Sequence, residues 1–362
     1  MTRKIIVLCL VLFAASAAFA GMKAVEEEGR ELTFWGRAIF NTHYDTAIQA
    51  YDFSSYLTDD TTEEFNFNPR DTRLGFAASE KSGEWNYRAV FEIDFYGTNA
   101  GNSLIPRMRL GYAEAKNESG LSIRGGQDWI PIAQQLPGTI DFGVMSWGGN
   151  LWSRVPQMTL RYKSGNVEYL AGAMKNRISN DQEMQEIMPW LMGRIAVVDL
   201  LGEKSMIAVG FGYRSVEVDA VDYAPYLAAA EFRLPVGERL VLNGEAYTGK
   251  GMAREFVHYG FDYNGVDEIE SMGGFVNLAA KVNCRAQVNF GFGFDDPEDA
   301  DLAVMDPDDV RYLKNTVMYG NLKYKVTPQF GWGLEVLNYA TDVGAADDLT
   351  GQRFTTSWWF VF

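Results

Sequence analysis

Over residues 85–95 the chain reads WNYRAVFEIDF. Trp85, Tyr87, Ala89, Phe91, Ile93 and Phe95 fall at one parity, and Asn86, Arg88, Val90, Glu92 and Asp94 at the other. Successive side chains of a strand point to opposite faces, so this segment has one aromatic and aliphatic face and one charged face. It has two possible settings. A soluble sheet buries the apolar face in a core, whereas a membrane barrel turns it to lipid and lines a lumen with the polar face.

The alternation recurs from end to end. Leu74, Phe76 and Ala78 oppose Arg73, Gly75 and Ala77. Met108, Leu110 and Tyr112 oppose Arg107, Arg109 and Gly111, and Met158, Leu160 and Tyr162 oppose Gln157, Thr159 and Arg161. Further runs begin at Ile207, Tyr226 and Ala286. Each extends over about 9–11 residues, the length of a tilted membrane strand; strands of soluble proteins are nearer 5–6. Connections come in two sizes. Lys81-Ser82-Gly83, Lys163-Ser164-Gly165 and Pro235-Val236-Gly237 are tight turns, while Asn41–Pro69, Asp128–Val155, Arg177–Met188, Gly249–Ser271 and Asp295–Arg311 are long and polar. That asymmetry fits an antiparallel transmembrane barrel with short periplasmic turns and long extracellular loops, of about 16 strands for this length.

The chain stops on Phe354, Thr356, Trp358, Phe360 and Phe362, all at one parity. In water such a terminal aromatic strand is an aggregation hazard. In lipid it closes the barrel by pairing with a first strand near Phe34–Phe40. The alternate aromatics Trp358, Phe360 and Phe362 resemble the insertion signal read by the outer-membrane assembly machinery.

The other end sets the compartment. Residues 1–20 combine Arg3 and Lys4, an apolar run from Ile5 to Phe13, and Ala18-Phe19-Ala20. This is the pattern of a secretory signal peptide cleaved before Gly21, with a run too short to span a bilayer. Cys9 lies inside that run without a lipoprotein cleavage pattern, and Cys284, left alone in the mature chain, reads as an ordinary packed residue. Residues 21–362 then form one barrel domain with no linker. Removing Arg3 and Lys4 leaves 30 basic against 48 acidic residues, a net charge of −18, which argues against nucleic acid as a partner and for a well solvated surface; the apolar strand parity makes outer-membrane lipid the expected partner.

With the apolar parity on lipid, the opposite parity places Arg73, Arg88, Arg107, Arg109, Arg124 and Arg161 in the lumen on five successive strands, with Glu92 and Asp94 among them. Two readings stay open. The arginines form a ladder that attracts anions, as basic rings do in anion pores, or they only neutralise the carboxylates beside them. The segment 128–155, DWIPIAQQLPGTIDFGVMSWGGNLWSRV, is a candidate constriction loop, with Asp141 and Arg154 as rim charges. It narrows a lumen that would otherwise be wide, or it packs outside against a neighbouring barrel.

The stretches DTRLGFAASEKSGEWNYRAVFEIDFYG, RMRLGYAEAK, IRGGQDWIP and RVPQMTLRY resemble the N-terminal half of the DcaP-like porins of Gram-negative outer membranes. The likeness is specific over Asp71–Tyr162 and generic beyond it. It implies a homotrimer of 16-stranded barrels passing small, often anionic, solutes, with Arg73, Arg107, Arg109, Arg124 and Arg161 in the pore-lining basic pattern. One departure stands out. Members of that family carry an N-terminal helical extension, whereas Gly21–Glu31 is too short for a substantial coiled coil.

No enzyme motif competes. His43 and His258 read as solvated loop residues without a partner at catalytic spacing. GFGFDDPEDADLAVMDPDDVR is rich in carboxylates but lacks the ligand spacing of a calcium loop, so it reads as a solvated loop. Gly210 and Gly212 read as barrel geometry rather than phosphate binding. The expected protein is a passive porin without a cofactor, passing small anionic or neutral solutes and preferring anions such as carboxylates. A non-conducting barrel serving as adhesin, receptor or anchor is the first alternative, and an exported soluble glycan-binding β-protein the second.

Overall fold

In the computed structural model, which describes residues 21–27, 29–97, 104–175, 184–186, 188–218, 220–257, 262–305, 310–344 and 347–362, the alternating runs form the wall of a closed barrel. The proposed signal peptide, Cys9 and His258 lie outside these residues. The main sheet contains eighteen strand segments. Two of them, Glu64–Asn68 and Arg73–Ser82, continue one strand along the same neighbour, and Met22–Glu27 is an accessory strand, so the wall has sixteen.

The wall strands are β1 (Arg30–Asp45), β2 (Glu64–Asn68 and Arg73–Ser82), β3 (Trp85–Asp94), β4 (Arg107–Asn117), β5 (Leu121–Trp129), β6 (Arg154–Ser164), β7 (Val167–Met174) and β8 (Trp190–Val198). They continue as β9 (Met206–Tyr213), β10 (Tyr226–Val236), β11 (Leu240–Lys250), β12 (Glu270–Lys281), β13 (Ala286–Pro297), β14 (Lys314–Lys325), β15 (Phe330–Asp342) and β16 (Leu349–Val361). Each pairs antiparallel with the next, and Arg37–Asp45 of β1 pairs with Arg353–Val361 of β16, so no wall edge is left open along that length. Short turns join the strands at one end, and eight longer connections join them at the other.

The outer face carries the predicted apolar parity. Met158, Phe290 and Trp358 are 66%, 57% and 49% exposed, while their strand neighbours Thr159, Asn289 and Ser357 are buried. Phe360 lies outside beside Phe362, their rings stacked at 6.4 Å. Large apolar side chains all around the outside, with polar side chains buried within, are the inverse of a soluble core and match a wall bathed in lipid. No helix among the described residues is long and apolar enough to cross a membrane.

Four readings need correction. In β4, Glu92 stands opposite Leu110 and Ile93 opposite Met108, so Arg109 is an extra, bulged residue. The bulge inverts the parity below it. Leu110 and Tyr112 therefore face inward, packed with Trp35, Ala77 and Val90, rather than toward lipid. His43 is no loop residue either. β1 runs to Asp45, and the buried His43 ring shares a 2.9 Å hydrogen bond with Thr355 Oγ1 on β16. Cys284 is exposed in the short turn between β12 and β13, where no core exists to pack it. Finally, Asp295 is buried rather than solvated, because it accepts from the hydroxyls of Tyr247 (2.5 Å), Tyr312 (2.7 Å) and Ser271 (3.1 Å).

The residues before β1 extend the wall. Met22–Glu27 pairs with Arg30–Phe34. It covers the flank of β1 beyond the point where the chain ends in a reciprocal backbone pair between Gly36 and Phe362 (2.9 and 3.0 Å). The backbone donors and acceptors of that flank are thereby paired instead of facing lipid.

Candidate functional site: the lumen and its inward loop

The connection from β5 to β6, residues 130–153, runs inside the barrel. Its main chain is tied to inward side chains of the far wall. Gln134 N–H donates to Glu231 (2.9 Å) on β10, Leu151 N–H to Glu245 (2.5 Å) on β11, and Gly138 N–H to Tyr319 Oη (2.7 Å) on β14. Ile140 and Asp141 N–H both donate to Glu335 on β15, at 2.6 and 2.8 Å, and Lys323 donates to the Thr139 carbonyl (3.0 Å). A buried carboxylate that accepts backbone N–H groups meets the demand that both partners be satisfied.

Two wall glycines create the space. A β-carbon on Gly210 would lie 2.8 Å from the Ile132 side chain, and one on Gly293 would collide with the Gly148 carbonyl. Both positions therefore serve close approach of the loop. Val144 and Met145 hold positive φ values of 46° and 58°. For a β-branched residue this is a strained conformation, kept only where the surroundings over-determine it.

Asp141 is the keystone of the loop and not a rim charge. It is 1% exposed. Its carboxylate accepts from Ser54 N–H (2.8 Å), Gly143 N–H (2.7 Å) and Arg353 Nη1 (3.0 Å), while Arg353 holds Asp45 with its other two nitrogens at 2.7 and 2.8 Å. Arg154 opens β6 with its guanidinium between two indoles, 4.7 Å from the Trp129 ring centre and 5.0 Å from that of Trp152. Tyr96 stacks on Phe142 at 3.8 Å and keeps its proton, since burial first and the carboxylates of Asp71, Asp52 and Asp141 next push its phenol well above the usual range.

The arginines of β2–β6 divide into two groups. Arg109 is 2% exposed, with Nε on Glu92 (2.7 Å) and Nη1 on Asp94 (2.8 Å). Arg107 grips Asp94 with Nε (3.1 Å) and Nη2 (2.8 Å), and its side chain is 37% exposed. Arg73 and Arg37 share Asp71 at 2.6 and 2.9 Å, and Arg124 is held by Glu114 (3.0 Å) and Asp128. Glu92 and Asp94 are thus the counter-ions of the wall, each almost fully buried. Arg88, by contrast, is exposed near the short-turn end, and Arg161 is half-buried. Among the described residues neither has a carboxylate partner or a hydrogen bond.

Sequence reasoning missed the opposite wall. Arg233 of β10, Lys281 of β12, and Lys323 and Lys325 of β14 carry the inward parity and are half-buried at the short-turn half of the lumen. Arg194 of β8 donates through Nε at 2.6 Å to Glu231, the carboxylate that also accepts from Gln134 N–H. The same alternation would have located all of them. Beneath the loop lies a cavity of about 960 Å³, open at the short-turn end and lined by Ser79, Glu114, Arg124, Arg161, Arg194 and Gln134 among others.

A closed sixteen-stranded antiparallel barrel with a connection strapped inside its lumen has the fold of the outer-membrane porins. No family model and no curated protein matches the sequence. The fold resembles the outer membrane channel DcaP of Acinetobacter baumannii, with a TM-score of 0.82 and 17% identity over 94% of this chain and 100% of that one. An anion-selective porin from Comamonas acidovorans superposes with a TM-score of 0.68 and 12% identity over 92% and 100%. OmpF of Salmonella typhi, in complex with daunomycin, gives 0.63 and 10% over 94% and 100%.

Proposed function

We propose that this protein is a passive diffusion channel of the outer membrane, admitting small hydrophilic solutes and preferring anions, with residues 130–153 as its constriction. The observation that carries the reading is the side to which the loop is tied. Glu231, Glu245, Tyr319 and Glu335 hold it against β10–β15, and the cavity lies on the other side, against β1–β8. A solute then passes between the loop and the basic wall. Inward Lys and Arg on both walls of the short-turn half favour negative charge there, and the likeness to an anion-selective porin agrees in direction. Transport is diffusive and involves no covalent step or cofactor.

In the same reading, the chain is exported by a signal peptide cleaved after Ala20. Trp358, Phe360 and Phe362 present the insertion signal to the assembly machinery, the outward aromatics meet lipid, and three copies associate. The test is the reversal potential of refolded protein in a planar bilayer under a KCl gradient. Steady conductance with chloride preference is expected, and potassium preference rejects the anion assignment. One observation favours a second reading, a non-conducting barrel serving as anchor or receptor. Tyr56, Trp147, Ile130, Leu151, Phe256 and Tyr312 form one apolar cluster at the long-loop end of the lumen. Absence of conductance from correctly folded barrels would establish that alternative.

A further inference from the structure

The wall arginines differ in what they already hold. Arg73, Arg107, Arg109 and Arg124 each have a carboxylate in contact, and Arg154 lies between two indoles. Arg161 lies three residues before the short-turn end of β6, in register with Ser122 of β5 and Leu170 of β7, and Leu170 is in register with Arg194 of β8. Arg161 and Arg194 thus stand two strand spacings apart, about 10 Å along the wall. Arg124, Arg161 and Arg194 all line the cavity beneath the loop, together with Glu114. Arg124 and Arg194 are occupied by Glu114, Asp128 and Glu231. The Nε of Arg161 is buried without a protein acceptor. A guanidinium with unmet donors, set between two cations whose own partners are fixed, suits a planar or tetrahedral oxyanion.

We propose that Arg161 is the oxyanion-binding station of this channel, a site that briefly holds a carboxylate or phosphate group of a solute beneath the loop, while Arg109 and Arg73 serve the wall. The assignment rests on the channel reading above. Arg88 is set apart by position. It is exposed, in register with Ser79 and Glu114, and does not itself line the cavity that holds Arg161.

The experiment uses the full-length folded protein in planar bilayers, with potassium chloride as carrier and inorganic phosphate added in steps from the short-turn side. Wild type is expected to show concentration-dependent phosphate block of the chloride current. Arg161→Gln should weaken that block at least tenfold. Arg161→Lys, which keeps the charge but loses the planar fork, should retain chloride preference and still lose most of the block. Arg88→Gln should leave the block unchanged. Phosphate block in Arg161→Gln equal to wild type overturns the station, and so does a wild-type channel that phosphate never blocks. Selectivity is read separately. A potassium-preferring wild type whose phosphate block disappears in Arg161→Gln refutes the anion-preferring channel and keeps the station.

Discussion

Glu335 is the sharpest place to perturb the inward loop without touching its sequence. Its two oxygens accept from Ile140 N–H (2.6 Å), Asp141 N–H (2.8 Å) and the Asn321 amide (2.7 Å), all within the barrel. Hydrogen bonds to a charged acceptor contribute about 1.5–3 kcal/mol each. They are not additive, and water entering the space left by Glu335→Ala recovers part of the loss. A figure of about 3 kcal/mol for the local anchoring of residues 138–143 follows. At about 1.4 kcal/mol per decade this is roughly a hundredfold rise in the population of locally opened loop. Hydrogen exchange read by mass spectrometry on the folded protein measures it directly. Peptides covering 138–143 in Glu335→Ala should exchange about a hundredfold faster, with wall peptides from β15 unchanged. Glu335→Gln keeps one acceptor oxygen and should fall between. The barrel itself should still form, because Glu231, Glu245 and the Asn315 amide hold the rest of the loop. Native exchange at 138–143 in Glu335→Ala would refute the claim that this carboxylate holds the constriction.

Arg109→Gln leaves Glu92 and Asp94 buried with less countercharge, which costs about 3–5 kcal/mol when one partner of a buried pair is removed. A lower urea midpoint with an unchanged reversal potential is expected, and the opposite pattern would return Arg109 to the filter. Cys284 lies in a turn at the end where both described chain termini also lie. A polymer-linked maleimide too bulky for the lumen should therefore label permeabilised cells and spare intact ones, and labelling of intact cells would invert the orientation.

Strand parity carried most of the wall, because lipid on one side and water on the other impose a two-residue period that nothing local overrides. Its failures are instructive. Arg109 looks like any alternate residue in RMRLGYAEAK, yet the pairing of Ile93 with Met108 skips it. A bulge belongs to the register between two strands and leaves no mark in either one alone. His43 was misread because Asn41, Thr42 and Tyr44 look like a loop, although Asn41, His43 and Asp45 keep inward parity. The path of residues 130–153 was open between lumen and outside. The residues that decide it, Glu231, Glu245 and Glu335, lie far along the chain and are silent until the barrel closes.

The charge layout follows from the same closure. The chain is strongly acidic, yet its carboxylates divide between two tasks. Some, such as Asp60 and Glu63, are exposed in the long connections. Others are spent inside. Glu92, Asp94 and Asp71 neutralise wall arginines, and Glu231, Glu245 and Glu335 accept the backbone N–H groups of the loop. An acid committed to a backbone donor has a fixed hydrogen-bond partner, and none of these three lines the cavity. The sign of the passage therefore turns on which charges reach the cavity: Arg124, Arg161 and Arg194 line it together with Glu31 and Glu114, while Asp94 and Asp141 are buried in the structure around it. Net charge, an argument about solubility and long-range steering, carries no information on that point.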